Sequence, residues 1–217
     1  MAMTLSEKDV LKQFLPQLLE EARSVEMCMR LYSHLNIPKY PVYERALALA
    51  TSVSDYATIL EEILLFGDIP DSITAGFKEI LQRALDRAGS FKECLQVLDL
   101  AAKLKVDTLK YDILVKAFKV AVSPEDYVTV YLNLPNGDAI GVYALQVAME
   151  VAKTTEEYLQ IGKDIRKNDS YEKVALDKAL KYAQTVWDYV TICMYLPDGH
   201  PTAQAALQKV LELSKAS

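Results

Sequence analysis

Glycine and proline are scarce, seven and eight in 217 residues, about 7% together where roughly 12% is ordinary. A chain so poor in turn formers leans towards helix. Histidine occurs twice, His34 and His200, with no ligand-spaced partner, so no metal site is expected. The three cysteines, Cys28, Cys94 and Cys193, are too few and too scattered for a disulfide framework. No stretch approaches about 18 consecutive apolar residues, so no membrane-spanning helix is expected. Met1 to Glu7 is polar and acidic, unlike a secretory leader, and the expected location is cytoplasmic. Basic residues do not dominate either: 24 against 30 acidic, a net charge of −6, which disfavours a dedicated nucleic-acid binder. Glycine-rich phosphate loops, nucleophile elbows and zinc-protease motifs are missing, so the expectation is no enzyme and no cofactor.

What the chain does have is a repeat. ALALATS (46–52), ALDRAGS (84–90), AFKVAVS (117–123), AMEVAKT (148–154) and ALKYAQT (179–185) share the pattern A-[LFM]-x-x-A-x-[ST]. LLEEARS (18–24) is a degenerate first copy, and VLELSKA (210–216) lacks the closing hydroxyl. The closing residues Ser24, Ser52, Ser90, Ser123, Thr154 and Thr185 are 28, 38, 33, 31 and 31 residues apart.

Each hydroxyl can accept from the free amides of a starting helix. Three positions on stands Asp55, Glu93, Asp126, Glu157 or Asp188, the second half of a capping box; Met27 breaks the pattern in the first copy. Pro124 follows Ser123 at the first helical position. The chemistry predicts six "A" helices beginning at these caps. Residues 4, 7, 8 and 11 after each cap form one apolar face, for instance Tyr158, Ile161, Gly162 and Ile165. Before each cap a "B" helix carries alanines four apart, small enough for close helix approach. Breakers at Pro38, Gly67–Pro70, Pro135–Gly137, Asn168–Asp169 and Pro197–Gly199 separate A from B.

One hairpin cannot bury its own stripe; a stack of them can. The expected fold is therefore all-α: a right-handed α-solenoid of about six hairpins of ~31 residues. It forms a single domain over 1–217, with a capping helix in 1–23, repeats in 24–201 and a polar-faced capping helix in 202–217. Gln204, Gln208, Lys209 and Glu212 face outward in that last helix.

The A-helix register, seen best in Tyr158-x-x-Ile161-Gly162-x-x-Ile165 followed by Leu176, Leu180 and Ala183, resembles that of tetratricopeptide repeats. Armadillo- or HEAT-like stacking is the other possibility. Either resemblance implies binding of a protein or peptide segment in a superhelical groove.

Three lines of residues are candidates for contact. Trp187 stands in a column otherwise held by Glu26, Ser54, Lys92, Glu125 and Glu156, and Met194 and Tyr195 replace polar residues farther along its helix. Burial under the last helix is the competing reading. Six residues after each cap come Arg30, Thr58, Gln96, Thr129, Gln160 and Thr191, a hydrogen-bonding line or simply a solvated face. On the B helices Arg45, Arg83, Lys116, Lys178 and Lys209 form a basic line, the basis of an alternative reading as a nucleic-acid binder. Interleaved acids make a solvated face the commoner meaning. The tyrosine column, Tyr56, Tyr127, Tyr158 and Tyr189, reads as core with wet hydroxyl tips.

Overall fold

A computed structural model describes residues 7–34, 39–66, 71–165 and 169–215, all helix and connecting turns. Thirteen α-helices are present among them: α1 (Glu7–Glu21), α2 (Val25–His34), α3 (Lys39–Leu49), α4 (Val53–Phe66), α5 (Asp71–Arg87), α6 (Phe91–Lys103), α7 (Lys110–Val120), α8 (Pro124–Asn133), α9 (Ala139–Val151), α10 (Thr155–Asp164), α11 (Asp169–Tyr182), α12 (Val186–Tyr195) and α13 (Pro201–Lys215). The breakers Pro38, Gly67–Pro70 and Asn168 lie outside the described residues. No described helix is long and apolar enough to cross a membrane.

All six expected A helices begin one residue after their hydroxyl cap. The reciprocal box forms at Ser90/Glu93, Ser123/Asp126, Thr154/Glu157 and Thr185/Asp188. It also forms at Ser52/Asp55, where the Asp55 amide donates to Ser52 Oγ at 3.2 Å and the Ser52 amide donates to Asp55 Oδ2 at 2.9 Å. At Ser24 only half exists, because Met27 has no oxygen to return the bond. In all five complete boxes the carboxylate accepts a second backbone amide, from the residue before the cap: Thr51, Gly89, Val122, Lys153 or Gln184. One carboxylate thereby ties the connection to the helix it starts.

Contacts divide the chain within α7 into two compact units, residues 1–116 and 117–217. In the first, α2 packs against α3 and α4, and α4 packs against α5 and α6. Its buried side chains include Val42, Ala46, Ile59, Leu60, Ile63, Leu81, Ala84, Cys94 and Val97. In the second, α8–α9, α10–α11 and α12–α13 are antiparallel hairpins; α10 lies against α8 on one side and α12 on the other, and α11 lies against α13. A continuous core runs through Leu145, Met149, Leu159, Ile161, Leu176 and Ile192.

The paired alanines of the five full copies are buried throughout, from Ala46 and Ala50 to Ala179 and Ala183. Gly162 permits the tightest approach: a Cβ there would lie 3.3 Å from Leu176 Cδ2 and 3.6 Å from Ala175 Cβ. Two hairpins turn identically. Gly137 and Gly199 adopt φ of +80° and +83°, which suits glycine, and the next residue caps the B helix. Asp138 Oδ1 accepts from the amides of Ile140 and Gly141, and His200 Nδ1 accepts from the Thr202 amide at 3.2 Å.

The terminal helix departs from the expected polar face. Gln204, Gln208, Lys209 and Glu212 are exposed, but so are Leu207 and Leu211, 53% each.

Candidate functional site

In the second unit α8, α10 and α12 present corresponding faces side by side. Trp187 is 66% exposed and Met194 76%, so neither is packed under α13. They lie seven residues apart on α12, hence on one face. Tyr195, half-buried, donates its hydroxyl to Gln160 Oε1 at 2.6 Å, and Gln160 Nε2 donates to both oxygens of Asp164 at 3.0 Å. Lys163 Nζ stands 5.5 Å from the centre of the Tyr195 ring. These four side chains couple α10 to α12 beside the exposed Trp–Met pair.

Between α8 and α10 runs a groove of about 170 Å³, lined by Glu125, Val128, Glu157, Gln160, Ile161 and Asp164 among others. Glu157 is already engaged in its capping box. The exposed Glu125 and the half-buried Asp164 leave the groove negative. Leu132, exposed on α8, occupies the same register position as Met194, nine residues after the cap. Nothing in the sequence singles it out, because its column otherwise holds Ser33, Glu61, Asp99 and Lys163 and shows no pattern.

The hydrogen-bonding line is partly occupied. Thr129 Oγ1 donates to Glu125 O at 2.9 Å and Thr58 Oγ1 to Ser54 O at 3.0 Å, a back-bond to the preceding turn. These threonines can accept a further bond but have no hydroxyl proton left to give. Thr129, Gln160 and Thr191 share the register on α8, α10 and α12 of the second unit. Thr58 and Gln96 hold it on α4 and α6 of the first, Gln96 exposed and Thr58 half-buried.

The basic line has a specific structural use. Arg45 Nη2 donates to Ala22 O, just past the end of α1, at 3.1 Å. Lys116 Nζ donates to Leu85 O and, at 3.1 Å, to Asp86 O in the last turn of α5. Lys178 Nζ donates to Met149 O near the end of α9 at 3.0 Å and stands over the Tyr158 ring. In three copies, then, a B-helix cation closes the negative end of the preceding B helix. Arg83 and Lys209 instead pair with Glu79 and Glu212 on their own helices, at 2.6 and 2.8 Å.

The tyrosine hydroxyls also find helix ends. Those of Tyr127, Tyr158 and Tyr189 donate to Ala121 O, Ala152 O and Ala183 O, at 2.9, 2.8 and 3.1 Å, always two residues before the cap. Burial pushes the Tyr158 phenol up to about 12. Burial likewise raises the Cys28 and Cys94 thiols, which occupy the tyrosine column in two copies, and makes them poor nucleophiles. Half-buried Cys193 donates to Ala203 O. Among the described residues no three of His, Cys, Asp and Glu come together as metal ligands. No family model, curated protein or solved structure matches this chain.

Proposed function

We propose that the chain is a non-catalytic interaction scaffold: a right-handed α-solenoid of about six hairpins, resembling tetratricopeptide or HEAT arrays, whose A helices take a segment of another protein. The observation that carries this reading is the exposed Trp187–Met194 pair. A large aromatic and a flexible thioether left in water on one helix face are the residues interfaces favour, and single Trp anchors often dominate binding energy. On the far side of α10 a separate groove is edged by Glu125 and Asp164, which suits a segment with basic flanks. Protein is preferred to nucleic acid as the partner because Arg45, Lys116 and Lys178 already hold backbone carbonyls, and Arg83 and Lys209 hold carboxylates.

The test follows the chain's one tryptophan. Photo-crosslinking from position 194 in cells identifies the partner, and its purified segment is then titrated while Trp187 emission is recorded. The expected result is a blue shift on binding to the parent chain, with affinity, read by titration calorimetry for the variants, falling tenfold or more for Trp187→Ala and at least threefold for Thr129→Ala/Gln160→Ala. Unchanged affinity in both variants would remove the assignment of this surface. Tight, steeply salt-dependent binding to RNA or DNA would favour the nucleic-acid alternative instead.

A further inference from the structure

Two neighbouring steps of the second unit, α8 to α10 and α10 to α12, are built alike but differ at one register position. Ten residues after the cap, α10 carries Asp164 and α12 carries Tyr195. Tyr195 fills its place against α10 with a ring: its hydroxyl reaches Gln160 Oε1, and Lys163 Nζ stands 5.5 Å from the ring centre. Against α8 the same position is Asp164, smaller by a ring, and there the groove of about 170 Å³ opens. Buried Val128 and Ile161 give it an apolar floor. Glu125, Glu157 and Asp164 line it as well, and no cation among the described residues does. The counterpart of Lys163 on α8 is Leu132, which brings no charge. The volume is well below the ~300 Å³ at which small-molecule sites begin, so the groove suits one side chain.

We propose that this groove is a subsite for one arginine side chain of the partner segment, a refinement that rests on the scaffold reading above. The planar guanidinium takes the place that the Tyr195 ring fills one step along, and its hydrocarbon stem lies on Val128 and Ile161. Its N–H donors meet carboxylates whose charge the chain does not cancel. Asp164 accepts only from the neutral Gln160 Nε2, 3.0 Å from each oxygen, and neither Asp164 nor Glu125 joins an ion pair among the described residues. Glu157 Oε2 is taken by the Lys153 and Thr154 amides, while Oε1 accepts no bond among the described residues. Gln160, held from the other side by Tyr195, fixes the Asp164 carboxylate before a partner arrives, which lowers the ordering cost of binding. Lysine suits the groove less, because its ammonium is a compact, strongly hydrated point charge with nothing planar to fill a ring-shaped slot.

Nα-acetyl-arginine amide presents this side chain without the rest of a partner, so it tests the subsite apart from the Trp187 surface. The full chain, labelled with nitrogen-15, is titrated with it at low salt while the backbone amide resonances are followed. The expected result is saturable shifts at Ile161, Gly162 and Asp164, with half-saturation below about 20 mM. Nα-acetyl-citrulline amide, of the same shape but neutral, should bind at least about tenfold more weakly, and Nα-acetyl-lysine amide at least about threefold more weakly. Asp164→Asn, which keeps the shape, should weaken arginine amide about tenfold, and the exposed change Glu125→Gln about threefold. Asp164→Tyr, which supplies the ring found at the next step, should abolish binding with unchanged circular dichroism. Equal binding of citrulline amide, shifts that survive Asp164→Asn, or no saturation by about 100 mM overturns the proposal. A partner captured through Trp187 without any arginine-amide binding would keep the scaffold and remove the subsite; the opposite pair of results would keep the subsite and remove the scaffold.

Discussion

A tyrosine hydroxyl and a phenylalanine hydrogen differ little in volume, so the Tyr158 position isolates what the helix-end bond contributes. Its hydroxyl reaches Ala152 O at 2.8 Å and Met149 O at 3.2 Å in a buried place. Tyr158→Phe removes both contacts without a cavity and is expected to cost about 1 kcal/mol, read as a lower urea midpoint at unchanged slope. The Cys28 and Cys94 copies show that the array can do without the hydroxyl, so loss of folding is not expected. A second residue, His200, occupies the cap position that Asp138 fills in the α8–α9 hairpin with two amide contacts rather than one. His200→Asp should raise stability by about 0.5 kcal/mol, measured by thermal unfolding at pH 7, since a carboxylate caps better and suits the positive helix end. A lowered Tm would show that the imidazole is held for another reason.

At the scale of the element, the B helices differ in what their cation does, although sequence writes all five alike. Lys178 is half-buried and bonded across helices to Met149 O, while Arg83 meets Glu79 one turn away in water, both side chains more than half exposed. Charge-assisted bonds at a helix end are worth more than exposed pairs within a helix. Lys178→Met should therefore cost about 1–2 kcal/mol, with Arg83→Met within about 0.5 kcal/mol of the parent. Equal effects in urea unfolding would mean that the cross-helix bond is not maintained in solution. Here sequence showed the column but not its use: interleaved Glu44, Asp86 and Asp177 suggested a solvated face. The carbonyl acceptors lie 23 to 31 residues earlier, beyond any local pattern.

For the whole molecule, the repeated carboxylates set a common acid limit. The Lys153 amide holds Glu157 below its ordinary value, and the Gly89 and Gln184 amides do the same for Glu93 and Asp188. At Asp55 partial burial pushes upward and is outweighed by bonds from Thr51 and Ser52. Groups lowered in the folded state stabilise it when charged, so their contribution is full above about pH 5 and is lost as pH falls through the folded values. The urea midpoint should be nearly flat from pH 8 to 5 and fall steeply below about 4, less steeply in Glu157→Gln, whose amide can still complete a capping box. A midpoint unchanged down to pH 2 would show that the boxes do not hold the fold together.

Where each A helix starts, which alanines are buried and which face carries the core were all legible from residue order. A hydroxyl three positions before a carboxylate and a 3.6-residue period act within one helix and its entry turn. The fate of Trp187, the engagement of Gln160 by Tyr195, the tethering of Lys178 and the bare Leu207–Leu211 pair were not. Gln160 and Lys178 meet partners 35 and 29 positions away in the chain, and burial and charge pairing are properties of the neighbour as much as of the residue itself.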